Sequence, residues 1–298
     1  MRLEHAVTEF TYAHDYTPAT LNWYRSRLGA FIAWAHEQGV TEIEGITALL
    51  VRRYQDHLHT RETRTGKPLD TFTLHGHTRA IRTLLFWAAS EELIEEKVAR
   101  RVSLPKRAVK VMPTLTPPQI ARMFDACAQS AYPDRDRAIL AVLIDTGIRA
   151  SELCGLTLDR THFSPDDAYL LVHGKGRKDR EVGLGKRSRG LLYKYVHRYR
   201  VAPKDEPHVF VGRGGRALAI EGLDRVLYRL RDAAELDGVR VGAHVWRHTY
   251  AFSYVAAGGD LMRLARLMGH SSVTVTQGYL SAFSSREARR GFSVLDGR

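Results

Sequence analysis

The sequence predicts a mainly α protein with one small β-hairpin or sheet in its second half, an α+β chain in two domains. Three observations predict it. Apolar residues recur at helical spacing behind capping residues along most of the chain. A Pro-rich basic stretch, Ser103 to Gln119, interrupts that pattern, and only Ala168 to Leu184 alternates with the period of a strand around a Gly-rich turn. At 298 residues the chain is too long for one ordinary core and suits two.

The first helix expected runs from Thr17, a capping residue followed by Pro18 at the first helical position, through Leu21, Tyr24, Leu28, Phe31, Ile32 and Ala35 to Gly39. A second spans about Thr47 to His59, a third Asp70 or Thr71 to Leu93, and a short fourth Glu95 to Val102. Residues 1–104 thus read as a small helical bundle. Residues 105–115, with Pro105, Lys106, Arg107, Lys110 and Pro113, read as an extended basic linker, and 116–298 as the second domain.

That domain opens with Thr116 as N-cap and Pro117 at the first helical position, and helices are expected over Pro117–Ser130 and Pro133–Asp145, the latter apolar enough to be central. Arg149 precedes a short helix through Glu152 and Leu153. The hairpin at 168–184 presents Lys175, Arg177 and Lys178 on its turn. Helices over Lys186–Val201 and Ile220–Leu236 lead to GAHVWRHTYAFSYVAAGGDLMRLARLMGHSSVTVTQGYL, Gly242 to Leu280. There His244 and Arg247, spaced i, i+3, share a helix face. A further helix is capped by Asp260, carries the stripe Leu261, Leu264, Ala265 and Met268, and ends at Gly269, which leaves His270 just past its end. Tyr279 follows on a third short helix, and the tail after it reads as one more helix ending in an apolar plug of Phe292, Val294 and Leu295.

Composition narrows the partners. Residues 1–105 hold 13 Lys or Arg against 13 Asp or Glu, and residues 106–298 hold 32 against 20, so the formal charge of +12 lies wholly in the second part. Such an excess suits a polyanion, and a merely soluble basic protein is the bland alternative. The two cysteines, Cys127 and Cys154, write no disulfide framework, and neither a secretory leader nor an apolar span is evident, so a soluble cytoplasmic protein without membrane partners is expected. In the first domain Arg79 and Arg82, spaced i, i+3 near His75 and His77, could form a basic face on a neutral bundle; a solvated surface is the plain reading.

HVWRH, LMGHSSVTVTQGY, DTGIRASEL and HGKGRKDREV resemble, in order and spacing, the four motif blocks of the tyrosine recombinase (phage integrase) family, most like its compact Xer-type members. The blocks span about 130 residues, which makes the joint match far more specific than any single one. The resemblance implies a helical core-binding domain and a catalytic domain that close on duplex DNA as a C-shaped clamp, with Arg79, Arg82, Lys106, Arg107, Arg177 and Lys178 as DNA-binding candidates. It implies site-specific recombination through a 3′-phosphotyrosine, a tetramer on DNA, homomeric if the C-terminal tail docks on a neighbouring copy and not in cis, a possible partner recombinase or accessory factor, and no cofactor.

The implied catalytic set is Arg149, Lys175, His244, Arg247, His270 and Tyr279, with Glu152 orienting. Arginine forks hold phosphate oxygens, an imidazole accepts the phenol proton, and a lysine protonates the departing 5′ oxygen. The second histidine donates to the phosphate. Two alternatives use the same residues: a type IB topoisomerase, and a DNA-binding accessory protein without catalysis. His244, His248 and His270 as zinc ligands is a weaker reading, because no carboxylate or thiolate accompanies them. Trp246 stands where the family pattern leads one to expect a smaller aliphatic residue.

Overall fold

The computed structural model describes residues 1–63, 66–106, 113–174 and 179–269. The chain divides into two compact units, Met1–Lys110 and Val111–Arg298.

The first unit is a bundle of α1 (Leu3–Tyr12), α2 (Pro18–Glu37), α3 (Ala48–Thr60), α4 (Thr71–Ser90) and α5 (Glu96–Arg100). Three helices begin as the sequence predicts. The side chains of Thr17, Thr47 and Asp70 accept from the backbone N–H groups of Thr20, Leu50 and Thr73, satisfying donors that the first turn leaves free. Phe10, Leu28, Phe31, Tyr54, Ile81 and Leu84 are fully buried among them. Helix α1 was not anticipated. It lacks a capping side chain and is held by burial of Leu3, Ala6 and Phe10, a stripe that spacing alone could have flagged. Helix α4 stops at Ser90, short of the expected Leu93, because Glu92 takes a φ of 58°.

The second unit is built on α7 (Pro133–Thr146), in which Ala138 to Leu143 are all buried. Around it lie α6 (Pro117–Ala126), α8 (Ala150–Cys154), α9 (Lys186–Lys194), α10 (Ile220–Ala233), α11 (Ala243–Ala256) and α12 (Leu261–Met268). Thr116 and Gln119 form a reciprocal capping box at the start of α6. The expected hairpin is present as β2 (Ala168–His173) and β3 (Asp179–Gly183), and β1 (Thr161–Phe163), which was not anticipated, makes it a three-stranded antiparallel sheet in the order β1-β2-β3. The segment expected as one helix to Val201 is α9 followed by a π-helical turn at Tyr195–Tyr199. Trp246 is the largest fully buried side chain of the described residues, so the bulk at that position is absorbed by the core.

One feature of this unit positions the site. Helix α7 ends at Gly147 with φ 59°, and a Cβ there would stand 2.3 Å from the ring of Tyr250 on α11, so only glycine lets the two elements meet. Cys127 and Cys154 are buried free thiols, and burial pushes their pKa values up to about 12 and 11, which makes them inert packing residues. Among the described residues no helix is long and apolar enough to cross a membrane.

Candidate active site

Arg149 sits immediately before α8, and the helix begins there because the chain supplies its own cap. The Glu152 carboxylate folds back to accept from the backbone N–H of Arg149 at 2.7 Å. The same carboxylate accepts from Arg149 Nη1 at 2.7 Å. Arg149 is 34% exposed and Glu152 only 4%, so the acid is hidden beneath a guanidinium that still faces outward.

Glu152 has a second partner that the sequence reading missed. Arg180 on β3 donates from Nη1 and Nη2 to the two carboxylate oxygens at 2.9 and 2.8 Å. Burial alone pushes the carboxyl pKa up, but the hydrogen bonds and charges of Arg180 and Arg149 outweigh it and hold the group down at about 2. Glu152 is therefore an anion near neutral pH. The signal for Arg180 lay in the strand period: it shares a face with Val182, which is buried.

Arg247 lies in the first turns of α11 and is 2% exposed. Its Nη1 donates to Gly147 O at 2.6 Å and its Nη2 to Met268 O at 2.6 Å. Arg149 Nη2 donates to Gly269 O at 3.1 Å, and Arg180 Nε to Leu267 O at 2.8 Å. Three successive carbonyls at the end of α12 thus each take a hydrogen bond from a different arginine, carried on α11, on the approach to α8 and on β3. A helix C-terminus carries partial negative charge, and three guanidiniums are a matched response to it. Asp260 caps the other end of α12 by accepting from Arg263 N–H at 2.7 Å, Leu264, Ala265 and Met268 are buried, and Gly269 takes φ 62°, all as the sequence predicts.

His244 is exposed in the first turn of α11, beside the buried His248, with ring centroids 4.2 Å apart. Partial desolvation, reinforced by the positive charges of Arg247 and Arg149, lowers its pKa below the ordinary imidazole value. The ring is neutral near pH 7 and available as a proton acceptor.

The described residues therefore bring together Arg149, Glu152, His244 and Arg247. Lys175, Arg177, Lys178, His270 and Tyr279 lie outside the described residues, as does Arg107. Of the DNA-binding candidates in the first unit, Arg79 is exposed on α4 with its guanidinium 5.7 Å from the Trp23 ring centroid. Arg82 is half-buried, 5.3 Å from that of Phe86, and Lys106 is exposed in an extended segment.

Residues 113–286 match the model of the Phage integrase family, and residues 5–103 match the Phage integrase SAM-like domain. The chain belongs to the phage integrase family. Its relatives within that family include Xer-type tyrosine recombinases that match over most of the chain. Tyrosine recombinase XerD of Corynebacterium glutamicum is 32% identical over 91% of this chain and 91% of its own length. Tyrosine recombinase XerC of Bacillus pumilus is 29% identical over 93% and 91%. The phage integrase fold is shared with a XerH site-specific recombinase bound to palindromic difH substrate, at TM-score 0.75 and 19% identity over 93% of this chain and 80% of that one. A lambda integrase (75–356) dimer bound to a COC′ core site superposes at TM-score 0.73 and 18% identity, covering 96% and 97%.

Proposed function

We propose that this chain is a site-specific DNA recombinase that cleaves and rejoins strands through a covalent 3′-phosphotyrosine. The observation that carries the proposal is the convergence of Arg149 and Arg247, 98 residues apart in the sequence, on adjacent carbonyls at the end of α12 beside a neutral His244. That is a preorganised positive centre with a proton acceptor at its edge, next to the chain that leads into His270 and on to Tyr279.

In this mechanism the Tyr279 Oη attacks the scissile phosphorus and passes its proton to His244. Arg149 from the exposed side and Arg247 from the buried side stabilise charge on the non-bridging oxygens, and His270 donates a further hydrogen bond. The bond from phosphorus to the 5′ oxygen breaks, and Lys175 supplies the proton that makes that oxygen a free hydroxyl. Glu152 orients Arg149. Because the phosphotyrosyl ester conserves the energy of the broken linkage, a 5′ hydroxyl of a second strand reverses the step, and no stage needs a metal or nucleotide.

The partner is a double-stranded recombination site. Residues 1–104 and 116–298 both take hold of it, with Arg79, Arg82, Lys106, Arg107, Arg177 and Lys178 on backbone phosphates. Four protomers act on two sites, joined through the tail after Tyr279. Relatives that are XerC and XerD recombinases along most of their length favour this reading over strand relaxation by a monomer.

The test is covalent capture. Wild-type protein is incubated with a randomised library of nicked duplexes and denatured, and the DNA that remains attached is sequenced. Wild type forms adducts and Tyr279→Phe forms none. Adducts in the variant, or none from any duplex with wild type, would overturn the proposal.

A further inference from the structure

We infer that Arg180 is a positioning residue for strand cleavage: its guanidinium fixes Glu152, and through it Arg149, against both the hairpin strand β3 and the carbonyl end of α12. The inference rests on the recombinase reading above and extends it to a residue outside the catalytic set.

Arg180 uses three of its donors on three different points. Nη1 and Nη2 take the two oxygens of Glu152, and Nε takes Leu267 O. Because a guanidinium is planar, those donors keep a fixed mutual geometry, so the carboxylate and the helix end cannot shift relative to each other while all three bonds hold. The Glu152 carboxylate is shared evenly: Oε1 accepts from Arg149 Nη1 and Arg180 Nη1, and Oε2 from Arg149 N and Arg180 Nη2. Removing Arg180 strips half of those donors from a side chain that is 4% exposed and has little water to replace them. The orientation of Arg149 then rests on Gly269 O and on a Glu152 held from one side only.

Two further observations place the same guanidinium at a junction. A Cβ on Gly269 would stand 3.0 Å from Arg180 Nη1, so the last turn of α12 is seated directly on it. On the strand side Arg180 pairs with Val172, one register position below the pair His173 and Asp179 that flanks the turn bearing Lys175. His173 Nδ1 and Asp179 Oδ1 are 2.6 Å apart, and Arg160 Nη1 donates to the other Asp179 oxygen at 3.1 Å, which holds the strands together at that level. One side chain therefore ties the strand next to Lys175, the anchor of Arg149, and the helix that leads to His270.

A purely structural buried ion pair exists elsewhere in the same unit for comparison. Arg135 donates from Nε to Asp136 at 2.8 Å and from Nη1 to Val211 O at 3.1 Å, away from every residue of the site. Arg135→Lys should lower stability and leave the cleavage rate of folded protein unchanged.

The experiment uses the full chain and a nicked duplex recovered by covalent capture on wild type. Single-turnover adduct formation is measured for Arg180→Lys, which keeps charge and stem but loses the fork, and for Arg180→Met, which keeps only the stem. Both should fall roughly 10- to 100-fold, the scale of a small misplacement of a reacting group, with duplex affinity within about twofold of wild type. Glu152 faces the charges of Arg149, just before its own helix, and of Arg180 on β3. In Arg180→Met, burial acts against fewer compensating bonds, the carboxyl pKa rises, and the acid limb of the rate profile moves to higher pH; the limb is read only where circular dichroism shows the variant folded, because lost stability by itself raises the pH of acid unfolding. Glu152→Gln, equal in shape, should reproduce the slow rate of Arg180→Met. Variants that cleave within about threefold of wild type, or a Glu152→Gln protein at the wild-type rate, overturn the inference even where an Arg180 variant fails to fold. If wild type itself forms no adduct, the recombinase reading fails and takes this inference with it. If wild type reacts and the variants react equally, only the role of Arg180 fails.

Discussion

The two compact units bury different chemistry. In the first, the core is hydrocarbon and aromatic, the buried polar residues among those described are His75 and Thr78, and the ion pairs lie at the surface. In the second, Arg135, Asp136, Glu152 and Arg247 are all buried. Taking a charge out of water costs several kcal/mol unless partners repay it, so a fold that buries four of them has given up stability for geometry. Most of the described basic residues of the first unit are exposed, with Arg27 and Arg82 half-buried. The difference teaches where each unit does its work: the first through its surface, the second through an interior that holds arginines at fixed points.

Within the second unit the two buried clusters also differ. Asp136 is closed on side chains, accepting from Arg135, Arg229 and Ser130. The Glu152 cluster opens onto backbone carbonyls and onto an exposed guanidinium. The Asp136 cluster also has an exposed guanidinium, Arg229, and one bond to a carbonyl, Val211 O, so what sets the Glu152 cluster apart is the run of three arginine-bound carbonyls at one helix end.

The largest effect that would sharpen this comparison comes from Asp136→Ala. It leaves Arg135 buried without its carboxylate and should lower the stability of the second unit by about 3–5 kcal/mol in chemical unfolding, with the first unit's transition unmoved. A loss under about 1 kcal/mol would break the claim that this unit depends on buried charge. Next in size, Arg149→Ala should slow adduct formation about a hundredfold to a thousandfold and spare duplex affinity. Lys106→Ala should do the reverse, weakening binding and reducing the salt slope of log K by about 1. Equal effects of the two on binding would erase the contrast between interior and surface arginines and lysines. The smallest effect belongs to the first unit. Glu96→Ala removes a surface pair with Arg100, whose side chains are 55% and 70% exposed, and should change thermal stability by less than about 0.5 kcal/mol.

Much of this was legible in the sequence because local rules wrote it. Thr17 with Pro18, Thr116 with Pro117 and Gln119, and Asp260 with Gly269 are caps whose geometry follows from residue type, and the structure has each of them. Family order supplied the rest of the outline, placing Arg149 and Arg247 in separate blocks that the fold brings to one helix end. Helix α1 was missed because nothing caps it and tertiary burial of Phe10 holds it. Strand β1, three residues long, has no periodicity of its own and exists by pairing Thr161 with Leu170. Arg180 was missed for a different reason. Beside a stretch rich in Lys and Arg its charge was unremarkable, and what set it apart was alternation with the buried Val182, which directs it inward while Asp179 and Glu181 on either side are exposed.

The left-handed glycine that ends α7 carries a consequence for how this site could evolve. At Gly147 the backbone lies against the Tyr250 ring while its carbonyl receives Arg247, so on the α7 side the separation from α11 is set by main chain, with no side chain there that selection could resize. Lineages can diversify around it at will, yet this position offers a single letter of the amino-acid alphabet, and a saturation library screened for recombination should return glycine there and nothing else.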